Sequence, residues 1–181
     1  MAIFTGKGDD GTTSLFGSNE RISKASCQTR ALGALDEINT LIGVCKAKSR
    51  NFACGLGESS LADILEDVQQ DLFVIQAVVA GSPKSLGADR VKRIEDIIVK
   101  IERELPPMKT FFLSGGTELS SLLDYARAVA RRVERVFVGC PKVERTSGEI
   151  IRYLNRLSSL LYILTRFINR KQGVQETTPS Y

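Results

Sequence analysis

The sequence predicts an all-α fold, a five-helix bundle preceded by an ordered glycine-rich N-terminal loop. Three observations predict it. Apolar residues recur at three- and four-residue steps over five separate stretches, the breaks between them hold Gly, Pro and hydroxyl residues, and no stretch alternates in polarity long enough to make a convincing strand. The chain has 181 residues, 43% of them hydrophobic and 25% charged. That length suits one domain, which buries roughly 70% of the surface its unfolded form exposes and needs no disulfide staples.

Residues 4–19 hold four Gly and many hydroxyls without apolar periodicity, so an ordered loop or extended arm is expected there. The first helix is expected from Ser26 to about Ser49, with Ala31, Leu32, Leu35, Ile38, Leu41, Ile42 and Cys45 on one stripe. A second runs from Leu61 to Ala80 and ends at Gly81-Ser-Pro83; a third runs from about Asp89 to Leu105 and stops at Pro106-Pro107. Thr117 offers an N-cap for a fourth helix over about Glu118 to Val138, which Pro141 breaks, and Ser147-x-Glu149 leads into a fifth over roughly 148–170. Helices of this kind, about 25 to 36 Å long and joined by mostly short connections, assemble as a bundle. Residues 50–59 form the longest link inside it, and no repeat or second domain interrupts the pattern.

The chain contains no His. It therefore cannot build a His-ligated zinc site, a Ser-His-Asp or Cys-His pair, or an imidazole proton shuttle. Chemistry is left to carboxylates, Lys, Arg, hydroxyls, backbone dipoles or a bound cofactor. Cys27, Cys45, Cys54 and Cys140 are scattered, with no C-x-x-C and no secretory pattern before them. They are expected to be reduced, small apolar residues of a cytoplasmic protein. Apolar runs such as Leu72 to Ala80 contain Gln and fall short of the ~18 residues a membrane span needs, so a soluble protein is expected.

Charge is uneven: residues 1–120 carry 14 Lys/Arg against 16 Asp/Glu, and residues 121–181 carry 11 against 5. The basic third lacks the dense Lys/Arg clusters and interleaved aromatics of a nucleic-acid surface, which leaves a small polyphosphate as the anion to consider. Arg127, Arg131 and Arg135 stand at i, i+4 and i+8, with Glu134 on the same side and Arg132 turned away. Like charges at that spacing repel by a few tenths of a kcal/mol per pair, so the stripe needs an anionic partner. Two readings are open: salt bridges to neighbouring helices, or a bound anion.

Asn155 lies between Leu154 and Arg156 within the apolar pattern of the last helix, either as a satisfied core amide or as a group that orients a ligand. Asp36 follows Leu35 near the inward stripe, where a carboxylate wants a cation, and Arg127 is the preferred candidate. Gly6-x-Gly8-x-x-Gly11 formally matches a dinucleotide fingerprint, but no βαβ unit surrounds it. As a loop whose N–H groups and Thr12, Thr13 and Ser14 hydroxyls wrap phosphates it remains a candidate, with Lys24 either a further point charge or a solvated side chain.

Along nearly its whole length the chain resembles the PduO-type ATP:cob(I)alamin adenosyltransferases, or corrinoid adenosyltransferases. Five blocks carry the resemblance in order: Thr5-Gly-Lys-Gly-Asp-Asp-Gly-Thr-Thr-Ser-Leu-Phe-Gly17, Gly33-Ala-Leu-Asp-Glu-Ile-Asn39, Phe111-Phe-Leu-Ser-Gly-Gly116, Ala126-Arg-Ala-Val-Ala-Arg-Arg-Val-Glu-Arg135 and Tyr153-Leu-Asn-Arg-Leu-Ser158. The resemblance implies a homotrimer of five-helix bundles with active sites between subunits. It implies transfer of the 5′-deoxyadenosyl group of ATP to the cobalt of cob(I)alamin, itself formed from cob(II)alamin, with release of triphosphate and use of Mg²⁺.

By the same resemblance, ATP contacts fall on Thr5, Gly6, Lys7, Gly8, Thr13, Ser14, Lys24, Arg131, Glu134, Arg135 and Asn155. An intersubunit salt bridge falls on Asp36 and Arg127, and the corrinoid-facing aromatic on Phe111. Lys24, Asp36, Arg127 and Arg131 are the residues expected to bear on catalysis, and no protein-ligated metal is expected. Residues 1–25 become an ATP-binding loop, 26–171 the bundle and 172–181 a C-terminal tail of one domain. Ser114, Asp124, Ser159 and Phe167 depart from residues common in the family, which has Pro, His, Asp and Tyr there.

A corrinoid reductase and an adenosylcobalamin-dependent mutase are the protein partners the resemblance implies, with no nucleic acid and no membrane. Because Co(I) is itself a strong nucleophile, attack on C5′ needs no protein base, which is compatible with a chain lacking His. Two other readings are a carrier that holds nucleotide and corrinoid with little turnover, and a bundle that only assembles with other proteins.

Overall fold

The computed structural model describes residues 4–50, 52, 59–108, 110–144 and 148–180. Among them lie five long helices, which we number with the smaller elements in chain order: β1 (Thr12–Ser14), β2 (Arg21–Ser23), α1 (Cys27–Ser49), α2 (Leu61–Val79), α3 (Ala88–Glu102), α4 (Glu118–Val138), the single turn α5 (Pro141–Glu144) and α6 (Gly148–Lys171). All five expected helices are present, four of them within about a residue of their expected bounds, while α3 ends at Glu102, three residues short of the expected Leu105. The link at 53–58 and Ser147 lie outside the described residues.

The helix starts follow local chemistry. Ser26 and Thr117 accept the amides of Thr29 and Ser120 at 3.2 Å, and Ser60 with Asp63 forms a reciprocal capping box. Gly81, at φ +98°, takes the chain out of α2 through a conformation that side-chain-bearing residues disfavour. Pro141 breaks α4 as expected and then begins α5, where its missing N–H costs nothing.

Neighbours pack in the order α2, α1, α4, α6, α3. The inward stripes bury Leu35, Ile38 and Ile42 of α1, Leu65 and Leu72 of α2, Ala126 and Ala130 of α4, and Leu157 and Leu161 of α6. Asp71 of α2, fully buried, ties α2 to α3 and α6. It accepts hydrogen bonds from Arg93 Nη2 at 2.5 Å, from Tyr153 Oη at 3.0 Å and from Arg90. Two guanidiniums and a phenol saturate its oxygens, so the charge is held where an unpaired carboxylate would be expelled.

Two expectations are corrected. The N-terminal loop contains a two-stranded antiparallel hairpin, with Thr13 opposite Ile22 and Ser14 opposite Arg21. Three-residue strands give no readable alternation. Cys27 and Cys140 are not reduced: they form a disulfide with Cα atoms 5.5 Å apart, although 113 residues separate them in sequence. The start of α1 meets the end of α4 in the bundle, a proximity invisible to sequence spacing. Cys45 is free and buried, and burial pushes its thiol up to about 11. Cys54 lies outside the described residues.

Candidate functional site

The N-terminal loop is folded on itself by its own hydrogen bonds. Gly6 and Gly11 take φ of +69° and +80°, turning the chain twice within six residues. Asp10 Oδ1 accepts the Thr12 amide at 2.9 Å and the Thr12 hydroxyl at 2.7 Å, and these bonds hold its carboxyl below the usual range. Arg21 crosses the hairpin, donating from Nε to the Thr12 hydroxyl at 2.9 Å and from Nη2 to the Lys7 carbonyl. Lys24 Nζ donates to the Gly8 carbonyl at 2.8 Å.

Thr5, Gly6, Lys7, Gly8, Thr13, Ser14 and Lys24 are thereby gathered in one folded loop, as the sequence predicts. Thr5 Oγ1 accepts the Lys7 amide at 3.4 Å. The organising roles of Asp10 and Arg21 were not predicted. The spacing Asp10-x-Thr12 is the local signal that carries the first of them; nothing local marks Arg21.

The arginine stripe of α4 divides by partner. Arg127 Nε donates to Asp124 Oδ1 at 2.5 Å, one turn back on the same helix. Arg131 is exposed, and its guanidinium has no hydrogen bond or ion pair among the described residues. Arg135 donates only to the Arg131 carbonyl, at 3.0 Å. Arg132, turned away as expected, is the one that bridges to another helix, meeting Glu37 of α1 at 2.5 Å. Salt bridging to neighbouring helices thus accounts for Arg132 and leaves Arg131 and Arg135 uncompensated.

Glu134 accepts Asn155 Nδ2 at 2.9 Å, and Asn155 Oδ1 accepts Arg156 at 2.6 Å. Asn155 is exposed, not a core amide: it lies just off the buried stripe of Leu154 and Leu157, beside the arginines. Asp36 is likewise exposed. One position past Leu35 turns a helix by about 100°, away from the core. It borders a shallow outer groove with Leu32 and Phe73, and within the chain it does not pair with Arg127, which Asp124 already holds.

A cleft of about 520 Å³ opens between the end of α3, residues 106–113, α4 and α6. Leu105, Met108, Phe111, Phe112 and Tyr162 give it apolar walls, and Arg127 and Arg131 edge it. Phe111 is 73% exposed, an aromatic presented and not packed away.

The C-terminal tail braces this segment. The Leu113 amide donates to the Thr177 carbonyl at 2.8 Å, and buried Arg166 pairs with Glu176 at 3.1 Å while lying over the Phe112 ring. Asn169 Nδ2 donates to the Gly115 carbonyl at 3.1 Å, and any Cβ on Gly116 would collide with the Asn169 side chain. Of the family departures, Asp124 and Ser159 line the cleft, whereas Phe167 is buried in the core.

Fold and site together define a helical-bundle protein with a structured glycine-rich hairpin and a large, mostly apolar cleft edged by Arg127, which Asp124 holds, and by Arg131, unpaired among the described residues. The family described as cobalamin adenosyltransferase matches residues 3–168, and the chain belongs to that family. It is 36% identical over 173 residues to the corrinoid adenosyltransferase PduO of Salmonella typhimurium, covering 92% of this chain and 49% of that protein. It is 33% identical over 184 residues to a corrinoid adenosyltransferase of Citrobacter freundii, covering 98% and 96%. The chain spans about half the length of the two PduO proteins it matches.

Among solved structures, a phenylalanine-to-alanine variant of the PduO-type ATP:corrinoid adenosyltransferase from Lactobacillus reuteri, complexed with cobalamin and ATP, superposes with a TM-score of 0.88. It is 27% identical and the match covers 99% of this chain and 100% of that one. An arginine-to-lysine variant of the same enzyme complexed with ATP gives 0.83 at 27% identity.

Among the described residues no helix is long and apolar enough to cross a membrane, and no group of three or more Cys, Asp or Glu could hold a metal ion.

Proposed function

We propose that this chain transfers the 5′-deoxyadenosyl group of ATP to the cobalt of cob(I)alamin, giving adenosylcobalamin and triphosphate. One observation carries the reading: Arg131, a cation without a partner among the described residues, stands where two chemically different surfaces meet. Glu134 and Arg135 on its own helix, with Asn155 of α6 hydrogen-bonded to Glu134, suit a nucleotide; the apolar cleft it edges suits a large flat macrocycle.

In this reading Thr5, Gly6, Lys7, Gly8, Thr13, Ser14 and Lys24 hold the triphosphate, and Arg131 with Arg135 stabilises charge as it leaves. The electron pair of Co(I) forms the Co–C5′ bond, the C5′–O bond breaks, and its pair departs with the triphosphate, so the chain needs no base. The protein supplies alignment and exclusion of water. Phe111 at the cleft mouth keeps a competing axial ligand from the cobalt.

In this reading Mg²⁺ travels with the triphosphate, whose oxygens, with water and one or two carboxylates, supply its ligands. The active unit in this reading is a homotrimer in which Arg127 also meets Asp36 of a second subunit. A cytoplasmic setting suits receipt of reduced corrinoid from a reductase and delivery to a mutase; the Cys27–Cys140 bond is the feature that runs against it.

An anaerobic assay with Mg-ATP and chemically reduced cobalamin tests the reading. Adenosylcobalamin and triphosphate are expected to accumulate well beyond one equivalent per chain. A single equivalent overturns catalysis in favour of a carrier, and no nucleotide-dependent rise in melting temperature overturns both.

A further inference from the structure

Arg127 and Arg131 are one turn apart on α4 and both line the cleft, yet their states differ. Asp124, 6% exposed, grips Nε of Arg127 and leaves Nη1 and Nη2 without a hydrogen-bond partner among the described residues. The Arg127 guanidinium also lies over the ring of Tyr162, 5.9 Å from its centroid, and Tyr162 Oη donates to Met108 Sδ at 3.3 Å. Asp124, Arg127, Tyr162 and Met108 thus form a connected wall reaching the segment that bears Phe111. No corresponding carboxylate restrains Arg131.

We infer that Asp124 is a positioning residue that assigns the two arginines different tasks, fixing Arg127 in the corrinoid wall and leaving Arg131 as the cation for triphosphate. This rests on the adenosyl-transfer reading above. The physical argument has three steps. Arg127, 29% exposed and set against the apolar wall, needs a compensating anion, which Asp124 provides in a charge-assisted hydrogen bond, whereas the exposed Arg131 is solvated. The flexible Arg side chain loses its freedom to a helix neighbour before any substrate binds, so binding does not have to order it. Because only Nε is engaged, the Nη edge remains open to a second acceptor, and Asp36 of a second subunit can join Arg127 without displacing Asp124. Without Asp124, Arg127 would be held through its Nη edge alone, its guanidinium could swing into the cleft beside Arg131, and triphosphate would compete for the corrinoid space.

The test compares Asp124→Ala and Asp124→Asn with the unaltered full chain under anaerobic turnover. Asp124→Ala is expected to raise the KM for cobalamin about tenfold, with the KM for ATP within about twofold. Inorganic tripolyphosphate is expected to inhibit competitively against cobalamin in this variant and not in the unaltered chain. Asn, which keeps an acceptor for Nε, is expected to recover most of the loss.

An unchanged cobalamin KM in Asp124→Ala overturns the inference. So does parallel loss of ATP use, cobalamin use and melting temperature with Asn no better than Ala. Equilibrium titration with cob(II)alamin reads the same comparison without turnover. A chain that binds cob(II)alamin but makes no adenosylcobalamin therefore removes the transferase reading and leaves the role of Asp124 decided by the isotherms.

Discussion

Lys24 Nζ sits 2.8 Å from the Gly8 carbonyl oxygen and 2.9 Å from where a Cβ on Gly8 would stand. Glycine at this position is what allows the amine to lie against the loop. The same Cβ would stand 3.3 Å from the Thr12 carbonyl, which is backbone and cannot swing aside. Gly8→Ala is therefore expected to displace Lys24 and open the hairpin. The KM for ATP should rise about tenfold, while the melting temperature, set by the distant core, moves by about 3 °C or less. Nucleotide titration beside a thermal melt checks both, and an unchanged KM would remove the loop from the ATP site.

Arg131→Ala deletes a cleft-edge cation that has no hydrogen-bond or ion-pair partner among the described residues. If it stabilises the departing triphosphate, kcat should fall by about 10²- to 10³-fold, in the range found for losing a donor to developing charge. Arg132→Ala, which breaks only an exposed pair with Glu37, should change kcat by about twofold or less. Steady-state kinetics on the two neighbours separate the assignments, and equal effects would contradict them.

Asp71 is the anchor of α3. Asp71→Ala leaves the buried Tyr153 hydroxyl without its acceptor and takes one carboxylate each from the partly exposed Arg90 and Arg93, which keep Asp89 and Asp67, so the expected cost is about 1–3 kcal/mol of folding stability. Urea unfolding monitored by circular dichroism measures it. A loss below about 1 kcal/mol would place the network with exposed ion pairs.

Stability should fall on the alkaline side. Burial raises the Cys45 thiol from 9.0 to about 11, so between those values the native chain holds a proton that the unfolded chain has released. The stabilisation is full below pH 9 and is lost as pH rises toward 11. Tyr153, raised well above 10.0 by burial and by Asp71, extends the decline in the same direction. Cys45→Ala should flatten the first part of the profile, measured as the urea midpoint against pH.

Much of the bundle was legible because helices announce themselves locally. The periodic stripes of Leu35–Ile38–Ile42 and Leu154–Leu157–Leu161, the Thr117 and Ser60 caps and the stops at Gly81 and Pro106 all act over a few residues. The glycine-rich loop was legible as a loop, but its hairpin was not, since strand pairing is a contact between segments. Partner choice was the least legible feature. Within the chain Arg127 meets Asp124, and Asp36 is exposed, because one residue of helical rotation and the competition among nearby carboxylates decide which groups meet inside a subunit.

By itself the sequence determined the helical class, the absence of imidazole chemistry and the residues able to face phosphate, all matters of composition and short-range spacing. Only the tertiary structure decided that Cys27 meets Cys140, that Asp71 anchors α3, that the tail braces the cleft and that Arg131, alone of its stripe, edges the cleft without a partner among the described residues. Each is a relation between groups far apart in the chain or in competition for one partner, and such relations are set by packing geometry, which local pattern does not encode.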